Sequence, residues 1–177
     1  GEQNIGDAFA NSCNVAFANI GIRLGGEKLY EYVQKFGLME KTGIELNGEA
    51  SGIFFDEATL ANPDSYASLS SAAFGQTFKI TPLQLVRAIS AVVNGGYLLQ
   101  PHVVKEVLDS EGNVLEETGT TVLRQVISEE TSATMCELLE SVVSQGTAKN
   151  AQIAGYRIGG KTGTSEKIDV FDENGNP

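Results

Sequence analysis

The chain has 177 residues, 41% of them hydrophobic, and its 12 lysines and arginines against 23 aspartates and glutamates give a net charge of −11. That length supports one domain with a sizeable core, and that charge repels a phosphate backbone, so no nucleic-acid partner is expected. Cys13, Cys136 and a lone histidine, His102, are too few for a Cys/His zinc cluster.

The opening stretch "GEQNIGDAF" starts in the middle of a pattern and is no signal peptide, so the chain reads as a segment of a longer protein. No apolar run approaches the roughly 18 residues of a membrane span. Residues 7–24 place Ala8, Phe9, Val15, Phe17, Ala18, Ile20 and Leu24 at helical spacing, interrupted by the polar "NSCN" at 11–14. Asn and Ser compete for backbone hydrogen bonds, which predicts two helices with a break between them, one of these residues capping the second. Gly25 and Gly26 stop it, and "EKLYEYVQKFG" predicts a short amphipathic helix ending at Gly37.

From Leu38 to Ser65 the periodicity fades into loop and short strand. A clear helix follows: Thr81 as N-cap, Pro82 at the first helical position, and Leu85, Val86, Ile89, Val92 and Val93 as the expected buried stripe. "HVVKEVLDSEGNVLEET" predicts a hairpin turning at Gly112. His102 enters this run after Pro101, in a structural or solvated role. Ser128 is expected to cap another helix, lined by Met135, Leu138, Leu139, Val142 and Val143 and ended by Gly146. The spacing of the two cysteines leaves a bridge between them open, with buried free thiols as the default reading.

The last strand-like run, "GYRIGGKTGTSEK", fits two chemistries. Gly155 to Thr162 satisfies G-x-x-x-x-G-K-[ST], a phosphate-cradling loop. Such a loop needs a buried strand before it and a helix after it. Before Gly155 lies "TAKNAQIA", too polar for a central strand, and after Thr162 lies "GTSEKIDVFDENGNP", which opens no amphipathic helix. The phosphate reading fails on its flanks.

Lys161-Thr162-Gly163 also forms K-T-G, a signature of penicillin-recognising serine acyl-transferases. An exposed strand edge can dock an extended acyl substrate through main-chain hydrogen bonds. Lys161 puts a positive charge beside the reacting groups and the substrate carboxylate, and Thr162 offers a hydroxyl to that carboxylate. Gly163 lets backbone come close, and the Thr164 N–H can help bind an oxyanion. The triplet also occurs at Lys41-Thr42-Gly43, after a helix end, where it reads as a turn. The second copy gains weight from Thr164 and from S-x-N far upstream, Ser12-Cys13-Asn14, at the helix break. Serine there can pass a proton to a leaving group, and asparagine can hold a substrate amide with both donor and acceptor.

With "SCNVAF", "KTGIELNGEASG", "AAFGQTFKITPLQLVRAISAVVNGG" followed by "QPHVV", and "GGKTGTSEK" in this order, the chain resembles the transpeptidase domain of penicillin-binding proteins, most like the class B, monofunctional type. The resemblance covers essentially the whole chain. It implies an α/β fold of the α+β type, with a mainly antiparallel sheet flanked by helices, a helical subdomain bearing S-x-N, and the site between them. It divides residues 1–177, as a partial transpeptidase domain, into a helical portion (1–37 and 56–95), a hairpin (97–118), a helix (128–146) and the K-T-G strand (155–168).

By the same resemblance Ser12 and Lys161 are catalytic, and Asn14, Thr162, Gly163 and Thr164 bind substrate. Gly75 and Gln76 fall in a family-like block read as structural. The implied reaction is acyl transfer from the D-Ala-D-Ala end of a peptidoglycan stem peptide to an amine, blocked by β-lactams, with no cofactor or metal. The implied parent is extracytoplasmic, anchored to the bacterial membrane and part of a cell-wall synthesis complex.

The family's first signature, S-x-x-K, supplies the nucleophile and its lysine. No serine here has a lysine three residues on. The chain alone is therefore expected to be inactive, with unpaired edges along its K-T-G strand. A penicillin-sensing receptor domain and a non-catalytic family member remain the alternatives. Hydrolytic β-lactamase relatives carry the two motifs closer together and lack the "TPLQL…NGG" block.

Overall fold

The computed structural model describes residues 2–165. Six helices come first: α1 (Ile5–Ala10), α2 (Asn14–Leu24), α3 (Gly26–Lys35), α4 (Glu57–Ala61), α5 (Tyr66–Ala73) and α6 (Pro82–Val93). Strands β1 (Tyr97–Leu99), β2 (Glu106–Leu108), β3 (Val114–Glu117) and β4 (Val122–Gln125) follow, and then α7 (Glu129–Ser144). Among the described residues the strands form two antiparallel pairs, β1 with β4 and β2 with β3. The β2–β3 pair is the predicted hairpin, while β1 lies outside it and pairs with β4. Helices and antiparallel strands together give the α+β class.

Local chemistry sets the helix starts. Thr81 and Gln84 form a reciprocal capping box on α6, with Pro82 at its first position. The Ser128 hydroxyl accepts from the Thr131 N–H at 3.1 Å to start α7. At the α1–α2 break the expectation of a polar cap is corrected: Cys13 is the N-cap of α2 and makes no side-chain cap bond. The break comes instead from how α1 ends, described below. The loop expected over 38–65 also holds a short helix, α4, capped by Asp56 through the Thr59 N–H.

The stripe expected to be buried on α6 is not. Leu85, Val86, Ile89 and Val93 are 45%, 60%, 50% and 46% exposed, while Gln84 and Arg87, at 0% and 5%, face inward with Ala88 and Ala91. The reason is carbonyl bookkeeping in the 37–42 loop. Gln84 Nε2 donates to the Leu38 and Glu40 carbonyls, and Arg87 donates to those of Gly37 and Thr42. Interior carbonyls without donors are costly, so the polar face of α6 turns to them. On α7, Val142 and Val143 are buried and Met135, Leu138 and Leu139 half-buried.

A small core joins Ala91 of α6, Leu98 of β1 and Val126, packed against Tyr32, Phe36 and Ile127. Both cysteines are free and half-buried rather than fully buried. His102 is exposed, with its ring Nδ1 against the Val104 carbonyl. No helix among the described residues is long and apolar enough to cross a membrane. Residues 155–165 contain no assigned strand. A strand is defined by its ladder, and no other described strand runs beside them; residues 166–168 of the expected strand lie outside the described residues.

Candidate active site

The site starts from the end of α1. The Ser12 N–H bonds to the Phe9 carbonyl at 3.1 Å and the Cys13 N–H to that of Ala8 at 2.9 Å. This paired pattern is a Schellman C-cap, whose turn residue must be left-handed. Ser12 occupies it at φ 53°. Glycine normally sits there, because a Cβ costs energy in that region. Ser12 is thus held in a strained position, as residues at functional sites often are.

The opposite wall is brought in by α7. Gly146 follows that helix so closely against α1 that a Cβ there would lie 2.3 Å from the Ala10 carbonyl oxygen. The Thr147 N–H donates to this carbonyl at 3.1 Å. The chain then returns along α7. Arg157 pairs with Glu140 through Nε and Nη2, holding the Glu140 carboxyl below its usual range, and the Gly160 N–H donates to the Leu139 carbonyl at 3.1 Å. One helix thus fixes both the end of α1 and the approach to Lys161.

Across the gap Lys161 Nζ donates to Ser12 Oγ at 2.7 Å and to the Thr162 carbonyl at 3.2 Å. Partial desolvation of the ammonium pulls its pKa below the usual lysine value. Thr162 Oγ1 lies 3.0 Å from Thr147 Oγ1, which also donates to the Ala10 carbonyl. Asn14 opens α2 two residues after Ser12, with an exposed side chain. A Cβ on Gly163 would meet nothing within 4 Å.

Ser12, Lys161 and Thr162 are therefore in one contact network, with Asn14 beside it in the chain. The early copy of the triplet stands apart. Thr42 is buried and, with Gly43, donates its N–H to the Glu49 carboxylate, so Lys41-Thr42-Gly43 is a closed turn.

Sequence reasoning missed two residues. Thr147 bridges the two walls, and Gln76, read as structural, donates through Nε2 to the Thr164 carbonyl at 2.6 Å. No motif marks Thr147. Gln76 stood in a quoted block, but its contact joins positions 88 apart and carries no local signal. Among the described residues no cluster of His, Cys, Asp and Glu could hold a metal.

The arrangement suits proton transfer beside an open docking segment. An ammonium donating to Ser12 Oγ leaves the serine's own proton free to point elsewhere and makes it more acidic.

Comparison with known proteins identifies the family. The family described as penicillin binding protein transpeptidase domain matches residues 1–176. Stage V sporulation protein D of Bacillus subtilis is 44% identical over 169 residues, covering 95% of this chain and 26% of that protein. Penicillin-binding protein PbpB of Mycolicibacterium smegmatis is 35% identical over 168 residues, covering 91% and 25%. The chain thus spans about a quarter of the length of these relatives. Among solved structures, penicillin binding protein 3 of Mycobacterium tuberculosis complexed with aztreonam superposes with a TM-score of 0.84 at 29% identity, covering 94% of this chain and 38% of that one. The D,D-transpeptidase domain of a peptidoglycan glycosyltransferase from Eggerthella lenta gives 0.85 at 26% identity, covering 96% and 43%.

Proposed function

The chain belongs to the penicillin-binding protein transpeptidase family, and on that premise we propose that it supplies the S-x-N and K-T-G walls of a serine D,D-transpeptidase that cross-links peptidoglycan. The observation that carries this is the Lys161–Ser12 hydrogen bond, which joins the two motifs with the geometry proton transfer needs.

In the reaction a serine hydroxyl of an S-x-x-K motif, outside this chain, attacks the carbonyl of the penultimate D-Ala of a stem peptide. The attacking hydroxyl passes its proton to the lysine of that motif, the peptide C–N bond breaks, and Ser12 gives its proton to the departing D-Ala nitrogen and regains one from that lysine. Lys161 lowers the cost of that transfer by donating to Ser12 Oγ. Asn14 holds the substrate amide. Thr162 donates to its terminal carboxylate, Gly163 leaves room for its backbone, and the Thr164 N–H supports the oxyanion. An acceptor amine then takes the acyl group from the serine, returning the enzyme. β-Lactams present a strained ring amide in place of that peptide bond and stop at the acyl-enzyme; the mycobacterial neighbour's complex with aztreonam supports β-lactam binding at such a site.

The parent protein is extracytoplasmic, anchored to the bacterial membrane and working in a cell-wall synthesis complex. The test is covalent labelling by a fluorescent penicillin. The full-length parent is expected to be labelled on the S-x-x-K serine, and the isolated chain, which has no such motif, to take no label. A parent that stays unlabelled, or a label on a serine of this chain, overturns the reading.

A further inference from the structure

The loop between α5 and α6 carries a device that the reaction above does not use. Helix α5 ends in its own Schellman cap: the Gly75 N–H bonds to the Ala72 carbonyl at 3.1 Å and the Gln76 N–H to that of Ser71 at 2.8 Å, with Gly75 at φ 91°. The next residue, Thr77, also has positive φ, 66°, which a β-branched residue rarely adopts. Its Oγ1 is held by Ser71 Oγ at 2.8 Å and by the Gln76 carbonyl at 2.6 Å. The backbone of Gln76 is thus fixed on both sides, at the cost of strain at Thr77.

What this strain delivers is the side-chain amide. Gln76 Nε2 donates to the Thr164 carbonyl at 2.6 Å, and its Oε1 accepts from Ser165 Oγ at 3.3 Å. Both ends of one amide are used on two successive residues, one through its carbonyl and the other through its hydroxyl, which ties the segment to Gln76 at two points. We propose that Gln76 is a positioning residue for the acyl-transfer site: it holds the Thr164 carbonyl, and through Ser165 the residue after it, so that the docking segment presents this main-chain acceptor to the substrate in a fixed direction. This rests on the transpeptidase reading. A carbonyl oxygen has two acceptor lobes, so the one Gln76 occupies leaves the other for a main-chain donor of an extended substrate.

A preorganised main-chain dipole is effective because it need not reorient during the reaction, and small misplacements of a docked substrate cost rate heavily. Gln76→Ala in the full-length parent is therefore expected to lower the saturating acylation rate by a fluorescent penicillin by roughly tenfold, with half-saturation changed much less. The amplitude of labelling, which counts correctly folded protein, is expected to stay full. Gln76→Glu adds a pH signature. Its carboxylate cannot donate to Thr164, so at neutral pH it is expected to behave as Gln76→Ala. It should recover relative to wild type as the carboxyl protonates near pH 4 to 5, around the ordinary glutamate value of about 4.3.

Loss of amplitude with the rate constant intact means Gln76 only supports folding and overturns the proposal. An unchanged or faster rate in Gln76→Ala overturns it as well, the faster case showing that Gln76 competes with substrate for Thr164. Failure of the wild-type parent to be labelled is a different result: it removes the transpeptidase reading, and this inference with it.

Discussion

Lys161 Nζ lies 2.7 Å from Ser12 Oγ, although the two residues stand 149 positions apart in the chain. The contact joins a lysine on an extended segment to a serine held in a left-handed helix cap. On the proposed mechanism the two act as one unit, so their losses should not add. In the full-length parent, Ser12→Ala and Lys161→Ala are each expected to slow penicillin acylation by roughly 10²- to 10⁴-fold. The double variant should be little slower than the worse single one. Stopped-flow labelling of all four proteins measures the cycle, and additive losses would show that the contact is incidental.

The lowered pKa of Lys161 gives a pH prediction. Desolvation favours the neutral amine, so the proton leaves at a lower pH than from a free lysine. If the ammonium is the active form, acylation falls as pH rises, with an apparent pKa below the ordinary lysine value of about 10.4. Lys161→Arg, which stays charged, should lack this alkaline limb whatever its overall rate. The folding side has the same origin. The partly desolvated charge opposes folding most below the lowered value, and that cost fades as pH rises from there to the ordinary lysine value, the window in which the unfolded chain holds the extra proton. An alkaline limb that persists in the arginine variant assigns it to another group.

In the proposed reaction Ser12 sets catalysis against stability at one residue. With φ at 53°, any Cβ there is strained, and glycine relieves it. Ser12→Gly and Ser12→Ala both lose the hydroxyl, so the difference between them isolates the backbone. The glycine variant of the parent is expected to be about 1 kcal/mol more stable than the alanine variant, with both equally poor in acylation. Thermal unfolding measures the first and penicillin labelling the second. Equal stability would mean that the cap relaxes in solution.

These residues show how far the sequence carries. Ser12 and Lys161 were legible because each sits in a short motif whose chemistry is local, and the order of the two motifs matched a family. The two K-T-G copies needed their neighbours to be told apart: Glu49 closes the first into a turn, and only the second meets S-x-N. Gln76 and Thr147 act through single hydrogen bonds across the fold, to which no periodicity or spacing points. The face of α6 was misread for a related reason. Periodicity finds an apolar stripe, but which face turns inward also depends on partners elsewhere, here the carbonyls of the 37–42 loop.

Those carbonyls make Arg87 a stability residue. It is 5% exposed and donates to the Gly37 carbonyl at 2.6 Å and more weakly to that of Thr42 at 3.4 Å. Burial pushes its pKa down, while Glu40 nearby opposes the shift. Arg87→Met keeps much of the volume and removes both donors. It is expected to destabilise the protein by about 2–4 kcal/mol, the cost of orphaning buried carbonyls. Arg87→Lys should recover only part of this, since one ammonium cannot reproduce the planar fork. Urea unfolding of the three proteins gives the values, and a methionine variant as stable as wild type would show that water reaches these carbonyls.

The outer face of α6 leads to the last prediction. Leu85, Val86, Ile89 and Val93 lie within one helical stripe, each at least 45% exposed. An apolar stripe of this kind is either covered by other parts of the protein or seeks cover from another copy. The isolated 177-residue chain is therefore expected to run above its monomer mass in light scattering at micromolar concentration. Val86→Lys with Ile89→Lys, which leaves the inward Gln84 and Arg87 untouched, should return it towards monomer. In the full-length parent the same pair is expected to lower the unfolding temperature, because there the stripe is covered and the charges would be buried without partners. A chain that is monomeric at the outset, or a parent indifferent to the two lysines, would mean that the face is tolerated in water as it stands.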